Sequence, residues 1–195
     1  MSLTGWGAAL LAYHLASRLA YVLYVGVSLR RQAAHAYFTV RYGVEEGFGR
    51  FQRRAARVMN NDGISFVLVC LFTRGSLQLP LPQAHELAVG LVLVALGVGI
   101  KLWAGATLGR GAYYWRDFFT TGAAVTTRTD GPYRFLKHPM YTVGYCPTYG
   151  LALMCDSWPG LVASAFDQAA ILGFYYLVER PHHRKLYGGG APTSR

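Results

Sequence analysis

With 195 residues, 53% of them hydrophobic and only 14% charged, the chain is too apolar for an ordinary soluble domain of its length. Its net charge of +10 raises nucleic acid as a partner, but the distribution of that charge along the chain argues against it. Three cysteines, Cys70, Cys146 and Cys155, lie in or beside apolar runs without metal-ligand spacing, which argues against a disulfide framework and offers no metal site.

A hydrocarbon core of roughly 30 Å needs about 20 residues of helix to cross it. Five segments approach that requirement, 6–27, 63–81, 87–108, 140–154 and 158–178. The first carries His14 and Arg18 and has no basic leader, unlike a cleaved signal peptide. The connection 28–62 follows, and within 50–60 Phe51, Ala55, Val58 and Met59 interleave with arginines. That pattern suits either a helix lying on the membrane surface or a solvated basic connector. Short connections at 82–85 and 155–157 imply helical hairpins. Between the third and fourth segments, Gly109, Gly111, Gly122, Gly131, Pro132 and Pro139 predict a structured, turn-rich loop. The fourth segment is short and holds Gly144, Pro147 and Gly150, so the count is five crossings, or four plus a re-entrant segment. The expectation is an all-α polytopic membrane bundle of about five helices, one domain over 1–187, with a disordered tail at 188–195.

Sixteen of the nineteen basic residues fall on alternate connections. Arg30, Arg31, Arg41, Arg50, Arg53, Arg54 and Arg57 precede the second segment. Arg110, Arg116, Arg128, Arg134 and Lys137 precede the fourth, and Arg180, Arg184, Lys185 and Arg195 follow the fifth. The positive-inside rule makes that side cytoplasmic and the N-terminus external. Helical rise places Arg18 roughly 18 Å and Asp167 roughly 14 Å from the external surface, so a structural ion pair at mid-membrane is expected.

The richest stretch is Gly131-Pro132-Tyr133-Arg134-Phe135-Leu136-Lys137-His138-Pro139-Met140-Tyr141, leading to Gly144. A Gly-Pro turn leads through basic and aromatic residues to a His-Pro step that opens an apolar segment. Pro139 suits a first helical position, whose free N–H groups can face an anion.

This string resembles the signature of integral membrane methyltransferases that use S-adenosylmethionine, which include phospholipid N-methyltransferases and isoprenylcysteine carboxyl methyltransferases. The segment Val178-Glu179-Arg180-Pro181-His182-His183-Arg184 is similar to the acidic-Pro segment that ends the last helix of the phosphatidylethanolamine enzymes. Leu108-Gly109-Arg110-Gly111-Ala112-Tyr113-Tyr114 is similar to their Gly-rich, aromatic stretch. Two departures stand out. Two residues separate Tyr141 from Gly144 where the family has one, and Val178-Glu179 replaces the usual acidic pair.

The resemblance implies a cytoplasmic-side pocket for S-adenosylmethionine built from Gly109, Arg134, His138, Met140, Tyr141, Gly144, Glu179 and Arg180. Glu179 would bind the cofactor's ammonium or ribose, while His138, Arg134 and Arg180 are candidates for its carboxylate. A phospholipid acceptor would use Arg116 and Arg184 for its phosphate and Tyr113, Tyr114 and Trp115 for its methylated ammonium. His183 or Asp117 would serve as the base that removes the amine proton. Simpler readings stand beside these: a helix-end role for His138, an ion pair for Glu179, an interfacial aromatic belt for 113–115, and positive-inside charge for the arginines. The implied reaction is methylation of phosphatidylethanolamine, or its mono- and dimethyl derivatives, towards phosphatidylcholine. Alternatives are prenylcysteine carboxyl methylation, a sterol-reductase-like oxidoreductase, and a non-enzymatic transporter or adaptor suggested by Arg18, Arg74, Lys101 and Asp167 near apolar segments. Neither nucleic acid nor metal is expected as a partner.

Overall fold

The computed structural model describes residues 5–109, 112–120 and 130–188. The expectations at Arg110, Gly111, Gly122, Arg128 and beyond residue 188 lie outside these. Helices α1 (Gly5–His35), α3 (Val44–Phe72) and α4 (Gln83–Leu108) are joined by the short α2 (Tyr37–Tyr42) and by turns. A run of 3-10 turns leads to α5 (Cys146–Met154). Helix α6 (Trp158–Phe174) continues through a π-helical turn, Tyr175–Glu179, into α7 (Arg180–Gly188).

Among the described residues, four helices are long and apolar enough to cross a membrane: Gly5–His35, Val44–Phe72, Gln83–Leu108 and Trp158–Lys185. The apolar segment expected at 140–154 folds differently. Only nine residues form α5, roughly 14 Å of helix, too short to cross the hydrocarbon core. Pro147 lies in the first turn of α5, and the preceding residues wind as 3-10 turns. The expected helix start at Pro139 is therefore absent, because Tyr141 and Thr142 bond back to His138 O and Gly144 to Pro139 O. The four-span alternative matches these lengths.

A second difference concerns α3. The basic stretch 50–60 is helical and amphipathic, with Phe51 and Ala55 buried and Arg50, Arg53 and Arg54 exposed. It is not a separate surface helix, because no proline interrupts the chain between Val44 and Phe72 and the helix runs straight into the apolar segment. The buried face repeats along Phe51, Ala55, Asp62, Ser65 and Val69 at helical spacing. The helix ends at Phe72, nine residues before the end expected at 81. Pro80 and Pro82 lie beyond it, and Thr73 Oγ1 caps Val69 O at 2.6 Å.

At one end of the bundle the short connections tie together. Gly75 N donates to Cys155 O and Leu77 N to Asp156 O, and the hydroxyls of Thr73 and Ser157 lie 2.6 Å apart. Ser157 also caps α6 by accepting from Gly160 N at 2.9 Å. The opposite end holds the longer connections, packed around Phe38, Phe48, Phe51, Phe118 and Phe119. Each such ring contributes roughly 1.5–3 kcal/mol when removed from water. α4 and α5 approach closely at Gly90 and Gly150, where a Cβ on Gly90 would come within 2.8 Å of Gly150 O.

Between the two ends, α1, α3 and α6 meet at a buried polar centre. Arg18 donates from Nε and Nη2 to the two oxygens of Asp167 at 2.8 and 2.7 Å. Its Nη2 also lies 2.6 Å from Asp62 Oδ2, and Nη1 donates to Tyr145 OH at 3.1 Å. The Arg18–Asp167 pair forms as expected, and Asp62 joins it. His14 sits between Ser65 Oγ (2.8 Å) and Asp167 Oδ1 (3.2 Å). His14, Asp62 and Asp167 hold ligand-type atoms within 4.8 Å of one another, but the Arg18 guanidinium takes the place a cation would occupy.

Candidate functional site

The π-helical turn sets the geometry of the site. One residue more than an α-turn is accommodated between Tyr175 and Glu179, which rotates Glu179 inward while Tyr176 and Leu177 remain exposed. Glu179 is only 5% exposed. Its Oε1 accepts from Trp115 Nε1 and from Tyr141 OH, and neither bond uses Oε2. Both donors are neutral, so neither of them brings a positive charge to the carboxylate.

Trp115 reaches this position through a left-handed backbone conformation, φ 55°, between two 3-10 turns. Its ring packs on Phe174 at 5.3 Å and on Phe51 at 6.5 Å. Trp115 is thus buried against the expected cofactor-binding carboxylate rather than standing with Tyr113 and Tyr114. Those two line a cavity on the Arg18 side. Tyr141 is fixed from a second direction, since Gln168 donates from Nε2 to its carbonyl oxygen at 3.3 Å and accepts at Oε1 from Tyr149 OH at 2.8 Å. Burial, and then the Glu179 charge, hold the Tyr141 phenol well above its usual range, so it donates as a neutral hydroxyl. The same two causes push the Tyr133 hydroxyl up to about 12.

His138 packs over Tyr175, with ring centroids 4.0 Å apart. Burial, Lys137, Arg180 and His183 all lower its pKa, so the ring is neutral at pH 7. Four residues beyond Glu179, His183 Nε2 lies 3.2 Å from Asp117 Oδ2. His182 stacks on Phe118 at 3.6 Å and 16°.

The structure therefore brings together Glu179, Tyr141, Trp115, His138, Tyr175, His183 and Asp117. Arg180 and Arg134 are exposed at the rim, lying over the rings of Tyr176 and Phe135. Arg184 is exposed. Arg116 pairs with Glu45 at 2.6 Å, an exposed contact, and lies over Phe48. Gly109 caps α4 with φ 82°, a conformation that favours glycine. Gly144 is buried, where a Cβ would lie 3.1 Å from Pro139 O. Met140 is half-buried beside Tyr141. Sequence reasoning did not select Tyr175, Gln168 or Asp62. Tyr175 and Gln168 could have been found from helical spacing, since they lie one and three turns before Glu179.

Comparison with known proteins fits this arrangement. The sequence profile of the phospholipid methyltransferase family matches residues 85–190, more than half of the chain. The phosphatidylethanolamine N-methyltransferase of Neosartorya fischeri is 36% identical over 135 residues, which is 67% of this chain and 14% of that protein. Those of Chaetomium globosum and Aspergillus oryzae are 33% and 37% identical over the same shares. The chain thus spans about a seventh of the length of these relatives. No solved structure matches. The site's elements, from α4 through the 131–145 turns to the Glu179 helix, all lie within the matched residues, and the chain belongs to the phospholipid methyltransferase family.

Proposed function

We propose that this chain methylates the amine of phosphatidylethanolamine, or of its monomethyl and dimethyl derivatives, using S-adenosylmethionine. The observation that carries the reading is the buried Glu179 carboxylate, oriented by Tyr141 of the 131–141 string and by Trp115, which directly follows the Gly-rich, aromatic stretch.

Bound in such a site, S-adenosylmethionine supplies an electrophilic methyl group on a cationic sulfonium. The residues present fit its charges. An anion held by neutral donors suits an ammonium or a ribose hydroxyl, and the faces of Tyr141, Tyr175 and neutral His138 suit a sulfonium. Arg134 and Arg180 at the rim suit a carboxylate. Gly109, Met140 and Gly144 complete the proposed cofactor set. Fixing Glu179 between two donors removes its rotamer freedom before binding, which is the form of preorganisation that methyl transfer rewards.

The acceptor nitrogen attacks only after losing a proton, and His183, held by Asp117, is the base in this reading. Tyr113 and Tyr114 face the acceptor, and Arg184 is the guanidinium available to a phosphate. Trp115 acts through Glu179 instead. The basic connections gathered at the Glu179 end support a cytoplasmic active site and an external N-terminus. Cysteines introduced at Arg53 and Gln83 of intact cells should then label from inside and outside respectively.

Purified protein incubated with methyl-labelled S-adenosylmethionine and a lipid panel tests the function. N-methylated ethanolamine lipids by mass spectrometry are expected. Methylation of a prenylcysteine carboxylate with no ethanolamine lipid product would reassign the acceptor, and no product of either kind would reject the reading.

A further inference from the structure

A cavity of about 280 Å³ lies between α1, α3, α4 and α5, closed on one side by Tyr113 and Tyr114. It is smaller than the roughly 300–1,000 Å³ usual for drug-sized ligands, a size for a lipid headgroup rather than a whole lipid. Its walls include Asp62, Lys101, Arg18 and the rings of Tyr21 and Tyr145.

Two groups on these walls lack the partners that burial normally demands. Asp62 is 4% exposed; its Oδ2 pairs with Arg18, but its Oδ1 is buried without a hydrogen bond. A carboxylate oxygen left so is costly unless a cation or donor meets it. Lys101, on α4, has no carboxylate partner among the described residues and lies over the Tyr145 ring at 5.3 Å. One cavity therefore offers an unspent anionic oxygen on one helix and an unspent ammonium on another, among tyrosine rings. A zwitterion with a cationic nitrogen and an anionic phosphate complements this arrangement; a ligand with an anionic headgroup meets Asp62 unfavourably.

The cavity adjoins the Glu179 site. Tyr113 and Tyr114 directly precede Trp115, the donor to Glu179. Tyr21, Trp115 and Tyr145 share one buried cluster, with Tyr114 and Tyr141 packed against it. We propose that this cavity is the acceptor's headgroup site, with Asp62 Oδ1 and the tyrosine rings holding the cationic nitrogen and Lys101, in place of Arg184, holding the phosphate. The proposal rests on the methyltransferase reading and adds residues outside the family match, since Arg18 and Asp62 precede residue 85. The headgroup docks as its ammonium, the state an anion binds.

The test uses the full chain in detergent without methyl donor, with short-chain phosphatidylethanolamine, its N,N-dimethyl derivative and phosphatidylglycerol as probes read by native mass spectrometry. Wild type should bind both amine lipids in preference to phosphatidylglycerol. Asp62→Asn should weaken them by about tenfold or more while leaving S-adenosylhomocysteine affinity within about twofold. Gly63 lines the same cavity, with open space where a Cβ would stand. Gly63→Trp should therefore block the amine lipids without removing a charge, which decides the matter if Asp62→Asn fails to fold. Wild-type lipid affinity in Gly63→Trp, or equal binding of phosphatidylglycerol by wild type, overturns the proposal. Failure of the underlying function looks different: the wild-type chain would then neither bind S-adenosylhomocysteine nor methylate any lipid.

Discussion

Two of the buried carboxylate centres among the described residues stand apart, and they are satisfied in different ways. In the middle of the bundle, Asp62 and Asp167 share the Arg18 guanidinium, with His14 and Tyr145 completing the bonds. At the end holding the longer connections, Glu179 is hydrogen-bonded by the N–H of Trp115 and the O–H of Tyr141. Neutral donors orient a carboxylate without cancelling its charge, whereas a guanidinium does both. The first centre is therefore chiefly architectural, tying α1, α3 and α6 together. The second is the one to which the proposed function assigns a ligand. Asp62 Oδ1 is the point where the architectural centre resembles the other.

The comparison breaks most readily at the architectural centre. Asp167→Ala leaves Arg18 with Asp62 alone and should cost about 3–5 kcal/mol of stability, measured by denaturation in mixed micelles. A variant as stable as wild type would show that Arg18 needs no fixed anion on α6. A smaller effect is expected at Trp115. Trp115→Phe keeps the apolar packing on Phe174 but removes one donor from Glu179, so S-adenosylhomocysteine should bind about 3- to 15-fold more weakly with little change in melting temperature. Unchanged affinity would mean that Tyr141 alone orients the carboxylate.

The pH dependence follows from His138. Its pKa is depressed in the folded chain, so its contribution is present above the unfolded-state pKa and is lost as pH falls through the folded value. Protonation there also adds a cation beside Lys137 and Arg180, disfavouring a sulfonium. Affinity for S-adenosylmethionine should thus fall on the acid side of neutrality, and His138→Gln should flatten that fall; an identical profile in the variant would remove His138 from the site. The smallest effect concerns Arg116. Its pair with Glu45 is exposed, so Arg116→Gln should leave melting temperature and cofactor affinity at wild-type values. A large loss would return Arg116 to the binding machinery.

Hydropathy made the membrane bundle legible, and depth along the helices made the Arg18–Asp167 pair legible before any contact was seen. The start of α3 was not, because Asn60-Asn61-Asp62-Gly63 reads locally as a linker. The apolar face that carries the helix through it becomes plain only when Phe51, Ala55 and Val69 are set on one face with Asp62. That misplacement also hid Asp62. The motif at 131–141 marked the right region but suggested a helix at Pro139, whereas successive tight turns satisfy those N–H groups internally. Glu179 was legible through its resemblance; the π-helical turn that aims it inward has no signature in residue type. Trp115 read as one of three aromatics of equal standing, and its left-handed backbone conformation separates it from the other two.

The most direct measurement is equilibrium binding of S-adenosylhomocysteine to purified wild type and Glu179→Gln, both checked for helical content and melting behaviour. The exchange keeps size and hydrogen bonding and removes only the charge. Binding to wild type, with a loss of about tenfold or more in the folded variant, is the expected result. Equal affinity in the two proteins, or no binding to wild type, would contradict the placement of the methyl donor at this carboxylate.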